Sequence, residues 1–215
     1  SDKNRPVHMG QYPTERLKRI NTIDLNTAPE MHALSFRRPE VPENIVNAMG
    51  EYQAMLDAIR DGLINNTKAE IPTDPTERAH HIKGFGYFSD ASMIGICRLE
   101  DQAILAEPIQ NPDIERLAHA LRTRQTKTLA SGIDVIMADL KESMEAPPTT
   151  IDRHTHAIVF LYENPRDLMP NEVGCDWLED AHAHRACLRA NETAAVIANY
   201  IRLLGYDAKS HSGAA

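Results

Sequence analysis

The segment from Glu77 to Leu99 constrains the fold most strongly, because its structural character changes twice over a short span. A charged helical run leads into the glycine–aromatic segment Gly84-Phe85-Gly86-Tyr87-Phe88, and an apolar run follows at Met93-Ile94-Gly95-Ile96-Cys97. A helix followed closely by a short apolar strand indicates a domain in which helices cover a sheet. We expect the glycines to form a hinge that ends the helix near Lys83 and leads into a strand over Met93–Arg98.

The length, charge and cysteine content of the chain limit the classes of protein to which it can belong. The 215 residues, 42% hydrophobic and 25% charged, suffice for one globular domain. The net charge of −8 argues against a nucleic-acid partner, because phosphate binding needs a basic face. No apolar run approaches the roughly 20 residues that span a bilayer, so we expect no transmembrane segment. Three scattered cysteines and no visible leader favour a cytoplasmic protein, and an exported form stays open because the chain begins at Ser1.

Proline spacing divides the chain into two parts. Residues 1–42 contain five prolines and little periodicity, which predicts an extended N-terminal arm. Residues 43–215 are predicted to form a helix-rich α/β domain. In that domain, helices are expected from Pro42 to Asn65, from Asp74 to Lys83, over Asp113–Thr123, over Thr128–Met144 and from Leu178 to Leu204.

Two further segments have strand character. The apolar run Ala157–Leu161 is typical of a buried central strand, and Tyr206–Ser212 is expected to begin another. Cys97 is expected to be a small buried hydrophobe. The fold class is therefore α+β, with helix-rich mixed α/β layers. Because so few strands make an incomplete sheet, we expect exposed apolar surface near Ala157–Leu161.

Histidines and cysteines raise the question of a metal site. Zinc is chemically compatible with a set made of His154, His156, Cys175 and His182. His182 and His184 are two apart in a helix and do not share a face. Because nothing in the sequence brings these residues together, hydrogen-bonding or surface histidines are the default interpretation, and no metal ligand is assigned.

Other chemical signatures are missing from the sequence. It contains no dinucleotide fingerprint, no Gly-x-Ser-x-Gly elbow and no ferredoxin-type cysteine run. The polar segment Glu163–Gly174 follows a predicted strand, where loops of α/β sheets often border ligand crevices. An ordinary connecting loop remains the alternative.

Four segments together resemble the catalytic subunit of reductive dehalogenases. They are RPVHMGQYPTERLKRI at Arg5–Ile20, the Glu77–Leu99 segment, HTHAIVFLYENPRDLM at His154–Met169, and the end of the alanine-rich helix with its turn, ETAAVIANYIRLLGYDAKSH at Glu192–His211. The resemblance identifies the chain as an N-terminal portion of such an enzyme. It implies part of a nitroreductase-like corrinoid-domain fold that is incomplete or degenerate.

For the complete enzyme the resemblance implies cobalamin, two 4Fe-4S clusters and an organohalide substrate that loses its halogen reductively. The partners it implies are the remaining corrinoid and ferredoxin-like domains. The family's catalytic tyrosine lies beyond the matched region, so no catalytic residue is assigned and Tyr162, Tyr200 and Tyr206 receive no role. The cofactor-binding residues stay unknown, and this portion alone is expected to be structural.

Three alternatives stay open. The chain shares its GICRL-like and AIVF strands more distantly with epoxyqueuosine reductase, another corrinoid and iron–sulfur oxidoreductase. A non-catalytic corrinoid-binding or interaction module would also suit the balanced composition and the long alanine-rich helix. A small metalloenzyme that uses the histidine pairs is the third.

Overall fold

A computed structural model describes residues 37–100, 103–104, 110–123, 154–163, 171–179 and 181–213. In chain order the elements are α1 (Val46–Ala58), α2 (Pro75–Phe88), β1 (Met93–Arg98), α3 (Pro112–Thr123), β2 (His156–Leu161), α4 (Cys175–Leu178) and α5 (Ala181–Leu203). Helices and a small antiparallel sheet confirm the α+β prediction. The predicted helix over Thr128–Met144 and the arm up to residue 36 lie outside the described residues.

Helix α1 ends earlier than the sequence predicts and buries a different face. Its last residue is Ala58, and Leu63, expected to lie within the helix, is 97% exposed. Tyr52 and Ile59 are also exposed, whereas Gln53 and Asp57 are buried. The helical spacing of the apolar residues in this segment predicts a buried stripe made of Ile45, Met49, Tyr52, Leu56, Ile59 and Leu63. That prediction was wrong, because small and polar side chains occupy the contact with α3 and α5. There Ala54, Ala58, Ile114 and Ala118 form a cluster.

A buried carboxylate links three helices. Asp57 is 2% exposed and accepts hydrogen bonds from Gln53 Nε2 at 3.2 Å, Asn111 Nδ2 at 2.7 Å and Asn191 Nδ2 at 2.8 Å. Asn111 precedes α3 and its Oδ1 accepts from Asp113 N, while Asn191 belongs to α5. Because a buried charge needs such partners, this cluster fixes the relative positions of α1, α3 and α5.

Helix α2 begins as predicted and runs through the expected hinge. Asp74 caps it by accepting from Thr76 N at 2.9 Å, and Pro75 is its first residue. The helix continues past Lys83 to Phe88, so the hinge prediction was wrong, and the chain turns at Ser89 and Asp90 instead. Gly86 lies against the sheet, where a Cβ atom would collide with Ile94 Cδ1 and stand 3.0 Å from Phe160 Cε1. Close helix–sheet packing explains this glycine.

Strands β1 and β2 form a two-stranded antiparallel sheet in which Gly95 pairs with Val159. Its inner face carries Ile94, Ile96, Ile158 and Phe160, which are buried or half-buried. The β1 prediction is confirmed, and β2 begins one residue early, at His156. The prediction of a buried central strand was wrong, because Val159 is 46% and Leu161 51% exposed. Cys97 is exposed as well, contrary to expectation.

The sequence predicts a helix from Leu178 to Leu204 with Gly205 as its C-terminal cap. In the structure α5 begins three residues later, after the separate short helix α4, and ends at Leu203, shortly before that glycine. Gly205 has φ +84°, and a Cβ there would stand 2.7 Å from the carbonyl oxygen of Thr67. The predicted strand over Tyr206–Ser212 was wrong. These residues extend along the end of α1, where Ser210 N donates to Arg60 O at 3.2 Å. Arg202 anchors the same segment by donating to Arg60 O and Ala208 O.

Candidate functional site

The described residues form an open cleft of about 280 Å³ where three elements meet. The turn after α2, the end of β2 and the middle of α5 provide its lining: Asp90, Ser92, Tyr162, Glu163, Arg185, Ala186 and Arg189. Glu163 begins the polar segment that the sequence pointed to as a possible crevice border. The cleft is therefore the candidate site of this part of the chain.

An arginine on α5 contacts two other residues of the cleft lining. Arg189 Nη2 donates to Asp90 Oδ2 at 2.8 Å, and its guanidinium lies 5.2 Å from the centre of the Tyr162 ring. Asp90 has φ +64°, a left-handed conformation that Asp tolerates better than most residues. This turn presents the Asp90 carboxylate to α5, and the ion pair is solvent-exposed, so its contribution to stability is small.

The hydroxyl of Tyr162 is fully engaged within the fold. It donates to the carbonyl oxygen of Ser89 at 2.7 Å and lies 2.5 Å from Thr193 Oγ1. Because Ser89 O takes the tyrosine proton, Thr193 is the donor in the second hydrogen bond. Tyr162 therefore joins β2, α5 and the turn after α2, and its hydroxyl proton is committed to a structural bond.

The charges around the cleft balance. Two arginines face two carboxylates, and Arg185 is an exposed cation one helical turn before Arg189. Glu163 N donates to Ser92 Oγ at 2.9 Å, which holds the end of β2 against the start of β1. Such a lining offers hydrogen bonds to a small polar molecule without selecting strongly for either sign of charge.

The four residues of the possible zinc set are not brought together. His154 Nε2 lies 3.5 Å from Asp207 Oδ1, and His156 Nδ1 lies 2.9 Å from Thr155 Oγ1. Cys175 is in α4 and His182 in the first turns of α5. Within the described ranges, no group of three or more His, Cys, Asp or Glu side chains is arranged to hold a metal ion.

Two histidines occupy environments that the sequence did not reveal. His184 is 1% exposed, and burial lowers its pKa below the ordinary value of 6.5. Partial burial, together with Lys209, Arg60 and His154, lowers the pKa of His211 to about 4. Both rings are therefore neutral near pH 7. The buried His184 ring serves the packing of α5, whereas His211 is exposed in the C-terminal segment.

The residues that line the cleft were missed by sequence reasoning, apart from Glu163. Asp90 and Ser92 lie in a turn whose position depends on where α2 ends, and Arg185 and Arg189 look like ordinary helix-surface charges. The i,i+4 spacing of the two arginines was the available signal, and that spacing is common on solvated helices.

A corrinoid does not fit this cleft. Cofactor pockets commonly enclose about 300–1,000 Å³ and bury most of a ligand. The cleft is smaller, open and lined mainly by polar groups, whereas a corrin ring with its side chains is larger than a typical small ligand. We therefore derive no chemical step through cobalamin or an iron–sulfur cluster from these residues.

Solved structures similar to this chain are reductive dehalogenases. A variant of the catabolic reductive dehalogenase NpRdhA, K488Q, is 28% identical with a TM-score of 0.54, covering 87% of this chain and 20% of its own. NpRdhA in complex with 3-bromo-4-hydroxybenzoic acid is 27% identical with a TM-score of 0.53, covering 85% and 20%. A reductive dehalogenase structure described in terms of B12-dependent dehalogenation has 27% identity and a TM-score of 0.52, covering 87% and 20%.

These similarities support a dehalogenase-like relationship. The chain spans about a fifth of the length of the solved dehalogenases it matches. No family model and no curated protein matches it. None of the described helices combines the length and apolar character needed to cross a membrane.

Proposed function

We propose that this chain is a structural portion of a corrinoid-dependent reductive dehalogenase. The observation that carries the proposal is similarity over 84–87% of the chain, at 27–28% identity and TM-scores of 0.51–0.54, to reductive dehalogenases. The motifs at Glu77–Leu99 and His154–Met169 independently resemble the same family. The complete protein would remove halogen from an organohalide with cobalamin and iron–sulfur clusters.

The geometry of the described residues supports a structural role for this portion. The hydroxyl of Tyr162 is committed to Ser89 and Thr193, the cleft is small, and no metal-ligand group is present within the described ranges. We therefore place the chemistry in the remaining domains. In this arrangement the chain supplies one wall of the enzyme, in a nitroreductase-like fold continued by those domains.

Halide release by the protein at the length its gene encodes tests this proposal. The protein is purified anaerobically from cobalamin-supplied cells and given reduced viologen as electron donor. 3-Bromo-4-hydroxybenzoic acid is a suitable first substrate, because it is the ligand of a similar solved enzyme. We expect bromide release that depends on bound cobalamin. Protein that binds no corrinoid and releases no halide from a panel of organohalides would contradict the proposal.

A variant in the cleft tests whether the cleft takes part directly in dehalogenation. Arg185 is exposed, and its side chain makes no hydrogen bond or ion pair among the described residues, so Arg185→Gln should leave folding unchanged. If the chemistry lies elsewhere, this variant retains bromide release within about twofold. A large loss of kcat in folded Arg185→Gln would place substrate or cofactor at this cleft.

A further inference from the structure

The outer face of the two-stranded sheet is apolar along its whole length. Alternation along the paired strands places six residues on it, directly opposite one another in three pairs: Met93 with Leu161, Gly95 with Val159, and Cys97 with Ala157. We call these six residues the outer sheet face. No member of the set carries a charge, although the whole chain has a net charge of −8.

The two faces of the sheet differ in what covers them. On the inner face, Ile94 and Phe160 lie against Gly86 of α2 at distances that leave no room for a methyl group. On the outer face, Gly95, Cys97, Val159 and Leu161 are all exposed. A Cβ built at Gly95 meets no atom within 4 Å, so the surface around it is open.

Strands that are apolar on both faces are typical of sheets covered on both sides. Sheets with one solvated face normally alternate apolar and polar residues, as in soluble antiparallel hairpins. Here β1 and β2 place apolar residues at nearly every position, and polar ends appear only at the pair Arg98 and His156. The outer sheet face thus has the composition of a surface that is buried in the functional protein.

We propose that the outer sheet face is a docking surface for the remaining domains of the full-length dehalogenase. The matching surface on those domains would be flat, apolar and uncharged. This inference rests on the proposed function. Length favours this occupant, since the chain corresponds to about a fifth of each similar solved enzyme, and the other four-fifths must pack somewhere on it. The absence of charge on the face argues against a basic or acidic partner, which would leave its own charges desolvated.

Cys97, paired with Ala157 at one end of this face, provides a reporter of its accessibility. We expect a neutral alkylating reagent to modify Cys97 readily in the 215-residue chain. In the protein at its encoded length, the modification of Cys97 should be at least about tenfold slower. That ratio is equivalent to about 1.4 kcal/mol of protection. Cys187, which lies on α5 outside this face, is the internal control. Its side chain is exposed in the 215-residue chain, so its modification rate should be the same at both lengths.

A charge on the face should release the docked domains. Val159→Lys should leave the chain folded, because the side chain is about half exposed, and should restore rapid Cys97 modification in the long protein. Val173→Lys is the matched control, since Val173 is 99% exposed and lies outside the sheet. It should leave Cys97 protected and the melting temperature unchanged.

The results of these modification experiments test the docking surface and the proposed function independently of each other. Equal Cys97 reactivity at both lengths, in protein that contains cobalt, would overturn the docking surface alone. Protected Cys97 in protein that binds no corrinoid would overturn the dehalogenase assignment and keep the surface. Protection already present in the 215-residue chain, together with dimeric sedimentation abolished by Val159→Lys, would identify a second copy as the occupant and overturn the proposal.

Discussion

At Gly86 the absence of a side chain lets helix α2 contact the sheet directly. Ile94 Cδ1 occupies the space where a methyl group would be. Gly84, one half-turn earlier in the same helix, has no atom within 4 Å of the corresponding position. The two glycines therefore differ in physical role although the sequence presents them as one motif.

Alanine substitutions should separate these roles. Gly84→Ala should raise the free energy of unfolding by about 0.5–1 kcal/mol, because alanine is the better helix former. Gly86→Ala gains the same propensity but overpacks the sheet contact, so we expect a net loss of about 1–2 kcal/mol. Urea denaturation of both variants checks this pair, and equal effects at the two sites would contradict the close contact.

The buried imidazole of His184 should make stability depend on pH. Its pKa is lowered in the folded chain, whereas the unfolded chain takes up a proton near the ordinary value of 6.5. The unfolded state thus binds more protons below that pH, and the free energy of unfolding should fall as pH decreases from 7 to 5. His211, with its pKa lowered to about 4, adds a contribution of the same sign.

Urea denaturation at several pH values of the parent chain, His184→Gln and His211→Gln would measure both contributions. Each substitution should reduce the slope of stability against pH, because it removes one group that titrates differently in the two states. Stability that stays constant or rises between pH 7 and 5 would contradict the lowered pKa values of the two rings.

Among the elements, local signals predicted the starts of α2 and α3, whereas contacts distant in sequence decided the end of α2 and the buried face of α1. Asp74 and Pro75 begin α2 through local capping, and Asp113 and Glu115 mark the first turn of α3, signals contained in neighbouring residues. The end of α2 depends on contacts between Gly86 and distant strands. The buried face of α1 likewise depends on Asn111 and Asn191, which no local pattern connects to Asp57.

The Asp57 cluster gives a prediction about how the helices hold together. Asp57→Asn keeps the shape of the side chain but turns an amide donor toward the donors of Gln53, Asn111 and Asn191. We expect a loss of about 2–3 kcal/mol, the scale of buried hydrogen bonds to a charged group. Asp90→Asn, at an exposed carboxylate, should change stability by less than about 1 kcal/mol. Thermal melts of both compare the sites, and similar small losses would show that the buried cluster does not join the helices.

For the whole molecule, sequence reasoning reached the α+β class, the two strands and the dehalogenase resemblance, because these depend on composition, periodicity and motif order. It did not predict the cleft, because the lining residues come from three elements that are far apart in sequence. It predicted exposed apolar surface near Ala157–Leu161, and Val159 and Leu161 confirm this. The nitroreductase-like fold and the division at residue 42 stay predictions.

The most direct test of the central claim is a cobalamin titration followed by visible absorption, performed on the 215-residue chain and on the protein at its encoded length. If the chain is a structural portion of a corrinoid enzyme, the protein at its encoded length should bind one corrinoid saturably. The 215-residue chain alone should then give no spectral shift. A saturable shift with the 215-residue chain would contradict the structural role. No shift with either protein would contradict the relationship to a working corrinoid dehalogenase.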